Sequence, residues 1–376
     1  MPSCSEFPLS ATGNAMTPVP VHRPPLPILA TIHWPDDVLT PDPATAAALA
    51  AAAERLASGQ LVAIPTETVY GLAADALDPD AVAQIFHIKG RPATNPLIVH
   101  VSNESMARTL VRDWPDMAQK AAAAFWPGPL TLVVPKADTV PEIVTAGGRT
   151  VALRCPSLIA TRKLIELSKR PLAAPSANRS EAVSPTTAQH VLEGLGSRIS
   201  MILDSGPCEH GLESTVLDCT VNPPKILRPG PISSVELSET LGVEICIPES
   251  EAVGAEQGRV ADTVLRSPGM QPRHYAPQTQ LTLSEKAPSI ISQMIQNGHR
   301  VGWLCNTPED SAVQTLAASP NVLVIPMPTD PAAYARSLYA TLHAVDQRGL
   351  DRLIVDVVPS GPEWAAVRDR LKRAAT

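Results

Sequence analysis

The stretch from residue 61 to 101 reads LVAIPTETVYGLAADALDPDAVAQIFHIKGRPATNPLIVHV, and it predicts the class of fold. Residues 61–64 are all apolar, which is typical of a strand covered on both faces. Asp78, followed by a proline, is predicted as the N-cap of a helix that Gly90 ends. Residues 97–101 then form a second apolar segment. The order strand, loop, helix, basic turn and strand indicates an α/β protein.

Polar and cationic side chains cluster at the ends of these elements. Thr68 follows the first strand, Lys89 and Arg91 flank the helix end, Asn95 follows them, and His100 lies in the second strand. Such junctions are where α/β proteins usually build sites. The spacing of the two cations leaves two interpretations open: solvated surface charges, or a polyphosphate clamp with a planar Arg fork and a Lys point charge. For the histidine, a core residue with satisfied hydrogen bonds is the commoner explanation.

A second polar segment, Ser176–Ala177–Asn178, follows the predicted strand 172–175. Ser184 comes soon after it, at a predicted helix start. A turn and an N-cap explain this segment, and on its own we prefer that interpretation. The alternative uses the helix N-terminus, with its free N–H groups and a hydroxyl, as an anion site. Glu213 precedes a predicted strand and could be a general base, but a lone Glu in this position is usually structural.

Two arginines, Arg154 and Arg228, each end an apolar strand. Because Arg is rarely buried without a partner, each is predicted to meet a carboxylate, either internal or on a ligand. Thr150 lies on the same predicted strand face as Arg154, since residues of equal parity share a face. The segment Arg273–His274–Tyr275 lies between prolines, and it is either a linker packed on a domain surface or a flexible cover for a site.

The length of 376 residues favours two domains. Residues 1–43 are predicted to be a Pro-rich leader, partly disordered. Residues 44–232 form the first α/β domain, and residues 233–277 a Pro-rich linker. Strands and helices alternate again in residues 278–376, which predicts a second, smaller α/β domain.

Composition excludes several classes of protein. The net charge of -7 without a long basic run argues against a nucleic-acid coat protein. The six cysteines show no CxxC spacing, which argues against a structural zinc site. The common nucleotide and hydrolase motifs, GxxxxGK[ST], GxGxxG, HExxH and GxSxG, are absent from the sequence. With no predicted signal peptide and no apolar run of ~20 residues, a cytoplasmic protein outside the membrane is expected.

Seven motifs together resemble one family, the L-threonylcarbamoyladenylate synthases of the YrdC type in their long two-domain form. These motifs are PTETVYGL at 65–72, KGRP..NPLIVHV at 89–101, FWPGPLTLV at 125–133, SAN at 176–178, ESTV at 213–216, LRPG at 227–230 and SPGM..RHYAP at 267–277. The resemblance implies a YrdC-like twisted open mixed sheet with helices. It also implies a smaller C-terminal Rossmann-like α/β domain, joined by a Pro-rich linker that covers the active site.

The resemblance implies an activity as well: condensation of L-threonine, bicarbonate and ATP to threonylcarbamoyl-AMP, with release of pyrophosphate. The product would pass to the machinery that transfers threonylcarbamoyl to the tRNA adenosine next to the anticodon. Mg²⁺ is expected on the ATP phosphates, with no protein metal site and no stable nucleic-acid binding. The alternative function is a noncatalytic RNA-binding or translation-associated factor, against which the net charge of -7 and the 3% of aromatic residues count.

Individual roles are carried over from the resemblance, residue by residue. Lys89 and Arg91 are predicted to be catalytic. The residues predicted to contact ATP are Arg91, Asn95, Thr150, Ser176, Asn178, Ser184, Arg228 and Tyr275. Those predicted to contact L-threonine are Thr68, His100, Arg154, Ala174 and Ser214. One departure is Gln271–Pro272, where family members commonly carry Lys and an aromatic residue.

Overall fold

Two β-sheets organise the computed structural model, which describes residues 26–34, 40–247 and 274–375. The larger sheet belongs to the first domain and the smaller one to the second, as predicted. Most of the predicted leader, Arg273 and the Gln271–Pro272 departure lie outside the described residues. The predicted domain boundaries therefore stay predictions, whereas the fold class is confirmed.

The first sheet has ten strands within the described ranges. They are β1 (Ile28–Thr31), β2 (Val62–Ile64), β3 (Gly71–Asp75), β4 (Ile98–His100), β5 (Leu130–Pro135), β6 (Thr150–Arg154), β7 (Leu172–Ala173), β8 (Met201–Asp204), β9 (Thr215–Asp218) and β10 (Lys225–Arg228). Their order is β1-β8-β2-β3-β7-β4-β6-β5-β9-β10. The sheet is mixed, because β4–β6 and β5–β9 are parallel pairs whereas β3–β7 and β5–β6 are antiparallel. In the central strands nearly every side chain is buried, since helices cover both faces.

The helices of this domain follow the apolar pattern of the sequence. They are α1 (Pro43–Ala57), α2 (Pro79–Lys89), α3 (Glu104–Arg108), α4 (Asp116–Phe125), α5 (Glu142–Thr145), α6 (Ile159–Ser168), α7 (Ala188–Leu195) and α8 (Ser234–Leu241). Helix α2 begins and ends as predicted. The Asp78 carboxylate accepts hydrogen bonds from the N–H groups of Asp80 and Ala81. Gly90 adopts the left-handed conformation with φ +62°, which favours glycine, and it turns the chain into the basic segment.

Helix α7 begins later than the sequence predicted. Its N-cap is Thr187, whose side chain accepts a hydrogen bond from the N–H of His190. Ser184 is therefore not at a helix start, so its predicted role as an N-cap is wrong, and the alternative of an anion site at that helix N-terminus loses its basis. The physical reason is a competing partner, because the Ser184 hydroxyl donates to the Glu213 carboxylate at 2.6 Å.

Helix α8 lies in the segment predicted to be linker. Its residues Leu237 and Leu241 are buried in the core of the first domain. Residues 233–247 and 274–277 of this segment are described, and the first of these two stretches contains a packed helix and not only an extended chain. Residues 248–273 lie outside the described residues.

The second domain has a parallel four-stranded sheet in the order β11-β14-β12-β13. Its strands are β11 (Leu281–Ser284), β12 (Val301–Cys305), β13 (Val322–Pro326) and β14 (Arg352–Asp356). The helices are α9 (Ala287–Gln296), α10 (Ser311–Ala317), α11 (Pro331–Asp346) and α12 (Ala365–Ala374). Parallel strands need crossover connections, which helices supply here, so the arrangement is Rossmann-like as predicted.

One apolar cluster is shared between the two domains. Val69 and Leu212 of the first domain pack with Tyr334 and Leu338 of helix α11. A core that crosses a domain boundary removes apolar surface of both domains from water. The domains are therefore joined by packing as well as by the chain.

The backbones of the two domains also approach closely at Gly211, which has φ +72°. A Cβ atom at this position would lie 2.6 Å from the Cα and the carbonyl oxygen of Arg336 on α11. The Arg336 Nε donates to the Glu209 carbonyl at 2.6 Å beside this contact. In the described ranges, no helix is long and apolar enough to span a membrane.

Candidate active site

A cavity lies in the first domain, beside its contact with the second. It brings together predicted site residues that are far apart in sequence: Thr68, Arg91, His100, Arg154, Ala174, Ser176, Ser214, Arg228 and Tyr275. It is also lined by residues that were not predicted as site residues: Thr66, Val69, Gly71, Ile98, Pro175, Glu213 and His274. The predicted residues Lys89, Asn95, Thr150, Asn178 and Ser184 do not line it.

One end of the cavity is built around Arg154, the last residue of β6. Its Nη2 donates to Glu67 Oε1 at 2.6 Å and its Nη1 to Thr68 Oγ1 at 2.8 Å, and its Nε donates to the Gly128 carbonyl at 3.3 Å. Both charges of the ion pair are buried. Of the two carboxylates proposed from the sequence, Arg154 therefore meets the internal one. Burial acts to raise the pKa of the Glu67 carboxyl, but Arg154 outweighs it, so the net pKa is lowered.

The hydroxyl of Thr68 is held by a local turn. Thr66 Oγ1 donates to the Val69 carbonyl at 2.6 Å and accepts from the N–H groups of Thr68 and Val69. The two threonine hydroxyls are 2.9 Å apart. Short hydroxyl side chains favour such turns because they replace backbone partners. The PTET sequence therefore fixes Thr68 at the cavity wall beside Arg154.

His100 stands next to Arg154, because β4 and β6 pair in register at these two residues. Its side chain is buried, and its Nδ1 has no hydrogen-bond partner among the described residues. The interpretation as a core histidine is therefore confirmed in its burial, but its hydrogen bonding is incomplete at Nδ1. Burial, with the Arg154 charge, lowers the pKa of His100 to about 3, so its imidazole is neutral at pH 7.

The other end of the cavity carries two buried guanidinium groups, Arg91 and Arg228. The Nη2 of Arg91 donates to the Pro96 carbonyl at 3.0 Å. Arg228 donates through Nε and Nη2 to the Ser214 carbonyl at 3.1 and 3.0 Å, and through Nη2 to the Ser214 hydroxyl at 3.1 Å. Neither forms an ion pair with any described residue. Burial removes much of the hydration of the Arg91 charge and thereby lowers the pKa of Arg91 to about 10.

Lys89 is buried as well, so the interpretation of a solvated surface cation is wrong for both residues of the basic turn. Its Nζ donates to the carbonyls of Ser176 and Asn178, each at 2.6 Å, and to Asn178 Oδ1 at 3.2 Å. The Asn178 Nδ2 donates in turn to the Ala182 carbonyl at 2.7 Å. Lys89 therefore joins helix α2 to the 176–178 loop and holds Ser176 at the cavity wall.

Asn95 and Thr150 are placed differently from each other. Asn95 is buried next to Arg91, and both polar atoms of its amide lack a partner among the described residues. An unpartnered buried amide is costly, which favours a ligand at this position. Thr150 is half-buried at the start of β6 and does not line the cavity. The ATP contacts of both residues stay predictions.

Tyr275 lies on the side of the cavity that faces the second domain. It is buried, with φ +62°, and its hydroxyl has no hydrogen-bond partner among the described residues. Its ring centroid is 3.9 Å from that of His274 and 5.8 Å from that of Tyr339 on α11. His274 and Tyr275 thus complete the cavity from the end of the segment that was predicted to cover it.

Two family models together match most of the chain. One, described as telomere recombination and covering Sua5, YciO and YrdC, matches residues 54–230. The other, described as threonylcarbamoyl-AMP synthase, C-terminal domain, matches residues 232–376. A threonylcarbamoyl-AMP synthase of Pyrococcus abyssi is 40% identical over 332 residues, which cover 86% of this chain and 93% of that relative. The chain belongs to the threonylcarbamoyl-AMP synthase family.

Further relatives agree with this membership. The threonylcarbamoyl-AMP synthase of Bacillus subtilis is 38% identical over 347 residues, covering 90% of this chain and 95% of that protein. The crystal structure of P. abyssi Sua5 complexed with L-threonine matches with a TM-score of 0.80 at 36% identity, covering 93% of this chain and 97% of that chain. The predicted two-domain form and the prediction of an enzyme are confirmed. The alternative of a noncatalytic RNA-binding factor has no support in these relatives.

Sequence reasoning missed two acidic residues, one that lines the cavity and one that lies behind its wall. The sequence pattern does not predict Glu67 as a site residue and favours a structural role for Glu213; both are buried and form ion pairs with arginines, Glu67 with Arg154 and Glu213 with Arg370. The sequence does hold a signal, since each Glu stands directly before a predicted ligand residue, in PTET and in ESTV. A buried charge needs a partner of opposite charge, and the local sequence pattern does not indicate which distant residue that partner is.

The neutral state of His100 predicts a pH dependence of stability. Its pKa is about 3 in the folded protein and ordinarily 6.5, so the unfolded chain takes up a proton first as the pH falls. The contribution of His100 to stability is complete above pH 6.5 and is lost as the pH falls towards 3. As the pH falls from 7 to 5, the loss of this contribution should lower the free energy of unfolding by about 2 kcal/mol.

Urea unfolding at several pH values checks this expectation. The variant His100→Gln should show a shallower loss of stability between pH 7 and pH 5 than the parent. His87→Gln, a change at an exposed histidine of α2, is the matched control. An equal slope in the parent and in His100→Gln would contradict the assignment of a buried neutral imidazole.

Proposed function

We propose that this chain condenses L-threonine, bicarbonate and ATP to threonylcarbamoyl-AMP and releases pyrophosphate. The observation that carries the proposal is the pair of buried guanidinium groups, Arg91 and Arg228, without a carboxylate partner among the described residues. Buried charges of this kind are unfavourable unless an anion joins them. A polyphosphate is such an anion, and it lies within the chemistry of the family.

The phosphate end of the cavity suits ATP in charge and in hydrogen bonding. ATP brings about four negative charges, and Arg forks pair with phosphate oxygens through two hydrogen bonds. Ser176 supplies a hydroxyl at the cavity wall. Asn95 is buried beside Arg91 and does not line the cavity, and its unpartnered amide could donate and accept hydrogen bonds only if the ligand or the turn around it adjusts. On this proposal Lys89 acts on the nucleotide mainly by holding the Ser176 loop.

The opposite end suits L-threonine, the ligand of the P. abyssi Sua5 complex. Arg154 presents a guanidinium at the cavity wall, and it can add a carboxylate to its existing contacts with Glu67 and Thr68. Neutral His100 has a free Nδ1 for a hydroxyl or an amine. Ala174 and Ser214 also line the cavity, and the Ser214 hydroxyl accepts a hydrogen bond from Arg228 Nη2 at 3.1 Å.

The reaction then needs positioning more than it needs a protein nucleophile. A carbamate oxygen attacks the α-phosphorus of ATP, and pyrophosphate leaves with the electrons of the broken bond. Fixed donors that meet the developing charge supply most of the acceleration in transfers of this type. The carbamate is short-lived in water, so a closed cavity protects it. Mg²⁺ would enter as part of the ATP substrate, bound to the phosphates.

Pyrophosphate release by the purified protein tests this proposal. We expect release from ATP only when L-threonine and bicarbonate are both present, and threonylcarbamoyl-AMP should form in equal amount. Omitting either compound should reduce release to the background of a protein-free reaction. Release that does not depend on threonine would overturn the proposal.

Three further predictions accompany the activity. The product would pass to the machinery that transfers threonylcarbamoyl to tRNA, without stable binding of nucleic acid by this chain. The enzyme would act in the cytoplasm. The net charge of -7 supports the absence of a nucleic-acid surface, because phosphate neutralisation needs clustered cations.

A further inference from the structure

The carboxylate of Glu213 is a meeting point of the two domains. It lines the cavity from the first domain, and its Oε1 accepts a hydrogen bond from the Ser184 hydroxyl at 2.6 Å. Its Oε2 accepts from the Tyr339 hydroxyl of α11 at 3.0 Å and from the Arg370 Nε of α12 at 2.8 Å. Two of the three donors to this cavity residue therefore come from the second domain.

Arg370 contacts more of the cavity wall than Glu213 alone. Its side chain is fully buried, and its Nη2 donates to the Pro229 carbonyl at 3.1 Å, one residue after Arg228. Its Cζ lies 5.0 Å from the ring centroid of Tyr275. The Asp369 carboxylate accepts a hydrogen bond from the Arg370 Nη1 at 2.6 Å. One guanidinium of the second domain thus supports three residues beside the phosphate end, although it does not line the cavity itself.

The charges explain why this support matters. Glu213 is the one carboxylate among the residues that line the described cavity. Burial acts to raise its pKa, but Arg370 first and Arg228 second outweigh burial and lower the pKa to about 2. Glu213 is therefore ionised, and two arginines compete for it. Arg370 holds it by a direct hydrogen bond, and Arg228, which donates to Ser214, does not.

We propose that Arg370 is a positioning residue through which the second domain holds Glu213 and leaves Arg228 available to the ATP phosphates. Without Arg370, the buried Glu213 carboxylate would turn to the next cation, and that cation is Arg228. An internal carboxylate on Arg228 would then compete with the nucleotide. The inference rests on the proposed function and assigns a role in it to the second domain.

Steady-state pyrophosphate release by Arg370→Met tests this role. Because the lost pairing affects the phosphate end, we expect the KM for ATP to rise about tenfold or more, while the KM for L-threonine changes less than about twofold. Arg336→Met is the matched control, since it also removes a guanidinium at the domain contact but does not touch Glu213. It should leave both KM values near those of the parent.

The double variant Arg370→Met with Glu213→Gln separates positioning from a purely structural role. Glutamine cannot pair with Arg228 as a charge, so the KM for ATP should return to within about threefold of the parent. Failure of the second change to restore the KM, or an equal rise of both KM values in Arg370→Met, would overturn the proposal.

A milder variant keeps the test decisive if Arg370→Met does not fold. Tyr339→Phe removes one donor to Glu213 and leaves no buried charge unpaired, so it should raise the KM for ATP alone, by about threefold. No change in that KM would count against the role of the second domain. Failure of the proposed function itself is distinguishable, because the parent protein would then release no threonine-dependent pyrophosphate.

Discussion

Replacing Arg91 by Met is expected to lower kcat/KM for ATP by about 10²–10³, the loss typical of removing one preorganised donor to a developing charge. The guanidinium of Arg91 is buried, lines the cavity and makes no ion pair with a described residue. Methionine keeps the apolar stem and leaves no buried charge unpaired, so the fold should be retained. Pyrophosphate release at varied ATP, with threonine and bicarbonate saturating, measures the effect.

The control for Arg91 is Arg112→Met, which removes an exposed arginine of the same domain. It should match the parent in kcat/KM for ATP. If Arg91→Met stayed within about threefold of the parent, Arg91 would be acting as a structural link to the 95–96 turn and not on the phosphates.

Replacing Arg154 by Met is expected to affect stability and threonine use together. The change leaves the Glu67 carboxylate buried without its cation, which typically costs about 3–5 kcal/mol of the free energy of unfolding. It also removes the guanidinium at the end of the cavity assigned to L-threonine. Urea unfolding measures the first effect, and the KM for threonine measures the second.

A double variant, Arg154→Met with Glu67→Gln, tests the two effects separately. The neutral amide removes the unpaired charge, so most of the lost stability should return, while the KM for threonine stays high. Recovery of both properties would mean that Arg154 serves only the ion pair. If neither the single nor the double variant lost stability, Glu67 would be in contact with water in the folded protein.

Local features of the sequence predicted local structure well. The two ends of helix α2 were predicted from Asp78 and Gly90, because an N-cap and a left-handed C-cap depend only on residues within one turn of the helix. Strand β6 was placed by its apolar residues, which are buried as the pattern requires. Helix α8 also had a local signal that was overlooked: Ser233 caps it and Glu236 stands three residues later, as in a capping box.

Features that depend on tertiary partners were not predictable in the same way. Strand β3 reads GLAAD, which has little β propensity, and it is a strand because β2 and β7 pair with it on either side. Ser184 resembles an N-cap in sequence, yet Glu213 takes its hydroxyl. Tertiary hydrogen bonds decided both cases.

The candidate site was predicted mainly by family resemblance, and its internal support was not. The motifs identified the cavity residues Arg91, His100 and Arg228 by type and place. The contacts of Lys89 with the Ser176 loop and of Glu213 with Arg370 could not be read from spacing. The sequence shows which charged groups are present, but only the fold shows which of them face the cavity and which form ion pairs or hydrogen bonds with one another.

The contacts that support the cavity close long loops of chain. Lys89 reaches a residue 87 positions away, Arg154 reaches Glu67 across 87 positions, and Arg370 reaches Glu213 across 157. Closing such long loops costs conformational entropy, and these contacts become favourable only after the strands of the sheet that lie between the two residues have paired. The cavity therefore forms only when these distant parts of the chain are in contact, and no short fragment that carries the basic turn or the Ser176 loop contains it.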